Sequence, residues 1–168
     1  PEFNCTSKNM DNILLPSECK DKEYIYMPSD PDVFDKETYK QGGKWMLYTE
    51  DSNHDSYWKS LLPLYHEGLI IRMKASAAKP TQLQMDSNSQ YKIIICYTED
   101  SDDLEYVRKV ANAIRSAVKH ERIMYYKTNV ATMHRLYIHE GKRAVSKYMH
   151  SVKGQLFIRD EYERWKMV

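Results

Sequence analysis

The sequence predicts an α+β layered domain, and three observations carry that prediction. The pentapeptide Tyr-Thr-Glu-Asp-Ser occurs twice, at Tyr48–Ser52 and Tyr97–Ser101. Each copy ends an apolar, β-prone run and opens a stretch with helical spacing. The run Ile93-Ile94-Ile95-Cys96-Tyr97 is unbroken, as in a strand buried on both faces. Leu104, Val107, Val110, Ala111, Ile114 and Val118 form one apolar stripe at helical spacing, with Arg108, Lys109 and Arg115 off it. A chain of 168 residues is long enough for one domain with a real core and short for two.

The elements follow in order. Residues 1–41 are rich in Asp, Ser, Pro and Lys. They read as an extended arm with one short strand at Tyr24-Ile25-Tyr26-Met27 and turn chemistry at Ser29-Asp30-Pro31-Asp32. The arm is assigned to residues 1–32 and a single domain to 33–168. Pro1-Glu2-Phe3 resembles a cloning remnant and is set aside. Gly42-Gly43 breaks the chain before a strand over Lys44–Thr49. Tyr57, Trp58, Leu61, Leu62 and Tyr65 predict a helix, which Pro63 should kink or shorten and Gly68 should cap. Leu69–Lys74 is the next strand, Ala75–Gln90 a long mobile loop, and Tyr91–Thr98 the central strand. Asp102 or Asp103 caps the amphipathic helix. Ile123–Tyr126 reads as a strand. Leu136–Ile138 and Ala144–Tyr148 pair as a hairpin across His139-Glu140-Gly141-Lys142, and Gln155–Arg159 adds an edge strand.

Apolar content and charge are ordinary for a soluble globule, and no apolar run approaches a membrane span. Cys5, Cys19 and Cys96 are an odd number without a CxxC pair. A disulfide framework or zinc site is therefore not expected, and a reducing compartment, cytoplasmic or nuclear, fits better. Net charge is near zero but unevenly spread. Acids outnumber bases up to Asp100; bases dominate from Asp102 onward, a pattern that suits an anionic partner.

Reactive chemistry is sparse. There is no phosphate-cradling glycine loop, no GxGxxG and no HExxH. His66-Glu67-Gly68 and His139-Glu140-Gly141 sit where turns are expected. Cys96 reads as a core residue, not a nucleophile. These features point away from an enzyme and toward no metal or cofactor. What remains is a sheet carrying aromatic rings and lysines. Rings stack on bases, and lysines hold phosphate. Lys74 and Lys92 end one strand and open the next. If those strands are adjacent and antiparallel, the two ammonium groups approach each other, which suits a bound anion.

Gly42-Gly43-Lys44-Trp45, a helix with Trp58, strands bearing Lys74 and Lys92, a helix with Val107 and then Tyr125-Tyr126-Lys127 occur in succession. Over roughly residues 33–150 this succession resembles the C-terminal two-thirds of the cap-binding translation initiation factor 4E fold. Within that fold it is most similar to the basophilic-leukaemia-expressed protein family. The resemblance implies a curved, mainly antiparallel sheet with helices packed on one face. It also implies a ligand set. Phe34-Asp35 stand where the cap-binding factors carry a Trp-Glu pair, so Phe34 would stack on a base and Asp35 accept its edge hydrogen bonds. Lys74 and Lys92 would contact phosphate, joined by Lys127. Trp45 and Trp58 would be core residues. No Trp precedes Trp45, so Tyr24 or Tyr26 would have to supply a second ring. The function implied is a non-catalytic RNA- or nucleotide-binding module with a cap-like ligand. The alternative is an adaptor of the same fold that binds a protein partner and has no ligand pocket.

Overall fold

The computed structural model describes residues 13–30, 36–87, 90–134 and 146–168, without the side chains of 36 and 83. The strands are β1 (Tyr24–Met27), β2 (Gly43–Thr49), β3 (Arg72–Ser76), β4 (Lys92–Thr98), β5 (Met124–Thr128), β6 (Tyr148–His150), β7 (Leu156–Arg159) and β8 (Trp165–Met167). They form one open, curved sheet in the order β1-β3-β4-β2-β5-β6-β7-β8. Every neighbouring pair is antiparallel. The helices are α1 (Lys36–Gln41), α2 (Asp51–His66), α3 (Gln82–Ser87), α4 (Leu104–Ala117) and α5 (Asn129–Met133).

Side chains alternate across a pleated strand, so the paired positions divide the sheet into two faces. Trp45 is on the helix face, since its indole Nε1 donates to the Val107 carbonyl of α4 at 3.2 Å. Leu47, Met73, Ala75, Ile94, Cys96, Met124 and Tyr126 share that face. They close a core with Trp58, Leu61 and Leu62 of α2 and Val107, Val110, Ala111 and Ile114 of α4. The stripe expected on α4 is buried as read, and Asp103 caps it by accepting from the Tyr106 amide. The opposite, open face carries Tyr24, Tyr26, Lys44, Met46, Arg72, Lys74, Tyr97, Tyr125, Lys127, Phe157, Arg159 and Trp165.

Gly42-Gly43 has a packing cause beyond strand entry. A Cβ on Gly43 would overlap the Tyr126 ring, and one on Gly42 the Thr98 carbonyl. The two pentapeptide copies then diverge. Glu50 of the first is itself the cap of α2, in a reciprocal box with Asn53. The second continues through a turn to the cap at Asp103.

Several sequence expectations are corrected. Cys19, Ile25 and Met27 join the core and β1 is an edge of the sheet, so this part of the arm belongs to the domain. Cys19 is disulfide-bonded, contrary to the expected absence of such bonds; its partner lies outside the described residues. Pro63 does not shorten α2, which runs on to His66. Pro63 and Lys59 are both exposed, so the Lys59 carbonyl that loses its amide partner faces water. The loop expected over Ala75–Gln90 holds the end of β3 and helix α3. Thr81 and Gln84 cap α3 reciprocally, each amide donating to the other's side chain. Gln155–Arg159 is not the edge, because β8 pairs outside it. Most of the expected hairpin, at 135–145, lies outside the described residues.

Candidate functional site

Two cross-strand rows build the open face. One row runs Arg72–Tyr97–Lys44–Lys127 through β3, β4, β2 and β5. The next runs Tyr26–Lys74–Ile95–Met46–Tyr125–Met149–Phe157–Met167 through all eight strands. Lys44 and Lys127 are therefore directly opposite each other, an arrangement of like charges that costs stability.

These cations are also buried. Lys44 is 4% exposed, Lys127 5% and Arg72 9%. The Lys44 ammonium donates to Asn129 Oδ1 at 3.1 Å and lies 5.4 Å from the Tyr97 ring centre. Asn129 opens α5 and donates from Nδ2 to the Tyr39 carbonyl, which turns its oxygen toward Lys44. The Arg72 guanidinium lies 5.1 Å from the Tyr97 ring and 5.0 Å from the Tyr26 ring. The Lys74 ammonium sits 3.9 Å over the Tyr24 ring. Ring faces thus lie against Lys44, Arg72 and Lys74, where the ring quadrupole attracts a cation.

The electrostatic consequence falls on Lys44. Burial first, and then the positive charges of Lys127, Lys74 and Arg72, lower its pKa to about 7. Burial and Arg72 also lower Lys74, partly opposed by Glu23. Burial raises the Tyr97 phenol, which stays protonated. Among the described strand residues of the open face none is acidic, while Lys44, Arg72, Lys74, Lys127 and Arg159 are basic. Such a face attracts a polyanion.

The expected site residues separate. Lys74 and Lys127 stand on the open face. Lys92 does not join them, although β3 and β4 are adjacent and antiparallel as supposed. It has the parity of Ile94 and Cys96, points to the helix side, and pairs with Asp51 at the start of α2 at 3.1 Å. Phe34 and Asp35 lie outside the described residues. The reading of residues missed Lys44, Arg72 and Tyr97. The alternations Lys44/Trp45/Met46/Leu47 and Arg72/Met73/Lys74/Ala75 carried the signal, because each places a cation opposite an apolar face.

Other reactive groups are satisfied internally. His54 lies between the Thr49 hydroxyl and the Ser76 carbonyl. His150 accepts from Arg115 through Nδ1 and meets Asn112 through Nε2. Burial pushes the Cys96 thiol up to about 12. Among the described residues no group of His, Cys, Asp and Glu could hold a metal ion. No helix among them is long and apolar enough to cross a membrane.

The profile of one family, described as basophilic leukemia-expressed protein Bles03, matches residues 34–134. A search among curated proteins gives no match. Among solved structures the chain is similar to Ascaris suum eIF4E-3 in complex with an m2,2,7G cap. Identity is 16%, coverage 59% of this chain and 56% of that one, and the TM-score 0.45. It is also similar to a schistosome eIF4E complexed with m7GpppA and 4E-BP, at 14% identity, 54% and 49% coverage and a TM-score of 0.44. The chain thus matches about half the length of these two proteins.

Proposed function

The chain belongs to the basophilic leukemia-expressed protein Bles03 family, and from the open face it carries we propose that it is a non-catalytic module binding the phosphates of an RNA or nucleotide. One observation carries the reading. Lys44, Arg72 and Lys127 are withdrawn from water in one cross-strand row, with Tyr97 between Arg72 and Lys44, Lys74 beside them and no acidic residue among the described strand residues of that face. Such a row of cations sets up a positive field over the face, and a phosphate accepts several charge-assisted hydrogen bonds at once. Tyr24, Tyr26 and Tyr97 hold the cations in place without neutralising them.

The phosphate site comprises Lys44, Arg72, Lys74 and Lys127. Lys92 is assigned no part in it, because Asp51 holds it on the far face. Phe34 and Asp35 retain their proposed roles as stacking ring and base-edge acceptor. Titrating the protein with a cap analogue, GTP and short single-stranded RNA tests the proposal. Saturable, salt-sensitive binding is expected. Lys74→Ala should weaken all three ligands by about tenfold, the usual loss for one charge-assisted contact. Phe34→Ala should weaken only ligands whose base it stacks on. Absence of saturable binding at low salt, or binding indifferent to Lys74→Ala and Lys44→Met, removes the reading.

A further inference from the structure

The half of the open face formed by β5–β8 carries a different surface from the cation cluster. Tyr125, Phe157 and Trp165 stand there, each partly exposed and none covered by α2 or α4. The Tyr125 and Trp165 rings are 6.4 Å apart, tilted by 41°. Arg159 lies 4.1 Å over Trp165, its guanidinium fixed by the carbonyls of Ser146 and Glu163. Met149 and the 60%-exposed Met167 flank Phe157 in its cross-strand row. Rings and methionines grouped, partly exposed, on a sheet face away from the helices are suited to meeting a partner.

The cation cluster indicates what that partner is. Tyr125 and Lys127 are two residues apart on the same face of β5, about 7 Å along the strand. A chain whose phosphate sits at Lys44 and Lys127 therefore passes straight onto Tyr125. The strands of the ring-bearing half add a further cation, Arg159, to the open face and no acid. A flat aromatic surface continuous with a phosphate site matches single-stranded nucleic acid, in which phosphates and stackable bases recur together. We propose that the second half of the open face is a base-stacking platform. The ligand is then a short single-stranded RNA lying across the strands, not a mononucleotide. The proposal rests on the phosphate reading above.

The platform has its own reporter. Trp45 and Trp58 are buried, at 0% and 2% exposed, whereas Trp165 is reachable. Single-stranded RNA of about six nucleotides, within the usual span of such sites, should quench the tryptophan fluorescence; GTP should leave it unchanged. The oligomer should bind at least about tenfold tighter than GTP, and Trp165→Ala or Phe157→Leu should each remove most of that gain. Trp165→Phe should keep the affinity while losing the quench. GTP affinity should not move in any of the three variants. An oligomer that binds no tighter than GTP overturns the platform and leaves the phosphate site standing, as does equal oligomer affinity in wild type and Trp165→Ala. Failure of both ligands to bind the wild type overturns the phosphate reading and the platform with it.

Discussion

Lys74 and Lys92 flank the same loop and belong to neighbouring antiparallel strands, yet they have opposite fates. Lys92 has an ordinary partner in Asp51 and lies on the side where the helices pack. Lys74 has the ring of Tyr24 and the company of Arg72 and Lys44, with Glu23 opposing them only in part. The difference is one of pleat parity. A lysine beside a carboxylate is a finished interaction. A lysine among other cations and aromatic faces stands in a positive field that favours an added anion.

The largest expected effect comes from breaking the register that sets these parities. β2 approaches Tyr126 so closely that Gly43 has no room for a side chain. Gly43→Ala must displace either the strand or the ring, and the ring also bonds the Thr98 hydroxyl at 2.6 Å. A destabilisation of about 3 kcal/mol, the upper part of the range for overpacked cores, should appear in chemical denaturation. Because Lys44 follows Gly43 directly, the variant should also weaken phosphate ligands under folding conditions. An unchanged unfolding midpoint would mean that the close approach imposes nothing.

Next in size is the contrast between the two faces in binding. Lys44→Met removes a buried cation that Arg72, Lys74 and Lys127 all disfavour, so folding stability should hold or rise. Phosphate affinity should fall by at least about tenfold. Lys92→Met should change that affinity by less than about twofold, since its charge is already engaged by Asp51. Equal losses in the two variants, measured by calorimetric titration with GTP, would erase the distinction between the faces.

That distinction was only half legible in the sequence. The amphipathic stripe of α4 and the buried run of β4 could be read because burial leaves a period in the residues: Val107, Val110, Ala111 and Ile114 are buried as expected. The face of Lys92 could not be read. Ile93-Ile94-Ile95 is apolar at every position, so the strand carries no alternation to orient it, and only its pairing with Leu47 and Trp45 decides the side. The cation cluster was hidden for another reason. Arg72, Tyr97, Lys44 and Lys127 come from four strands that are distant in sequence, and strand order cannot be read from local pattern. The expected Lys74 and Lys127 fall within the cluster, whereas Lys92 falls outside it. Helix α3 escaped notice because its cap is a reciprocal Thr81–Gln84 pair inside a polar stretch that otherwise reads as loop.

A smaller effect, below about tenfold near neutrality, concerns pH. The pKa of Lys44 is lowered to about 7 by burial and by its cationic neighbours. A bound phosphate reverses those causes, so binding above pH 7 must take up a proton. Affinity should fall as pH rises through that value, and the fall should vanish in Lys44→Met. The ligand-free protein gives the opposite slope. Between about 7 and the unfolded value near 10.4 the unfolded chain holds the Lys44 proton and the folded one does not, so stability rises with pH across that window. Opposite slopes in binding and in folding, both abolished by one substitution, assign the titration to Lys44. Parallel slopes would assign it elsewhere.

The smallest expected effect lies on the helix face. The Lys92–Asp51 pair is 3.1 Å long, but the Asp51 side chain is 83% exposed. Water and salt screen such a pair, and its net contribution is about 0–1 kcal/mol. Asp51 also sits in the first turn of α2, where a carboxylate favours the helix dipole. Asp51→Asn should therefore cost somewhat more stability than Lys92→Met, and the double variant should nearly equal the sum of the two. A coupling well above about 1 kcal/mol in that double-mutant cycle would make Lys92 as dependent on its surroundings as Lys44, and parity alone would no longer separate the two lysines.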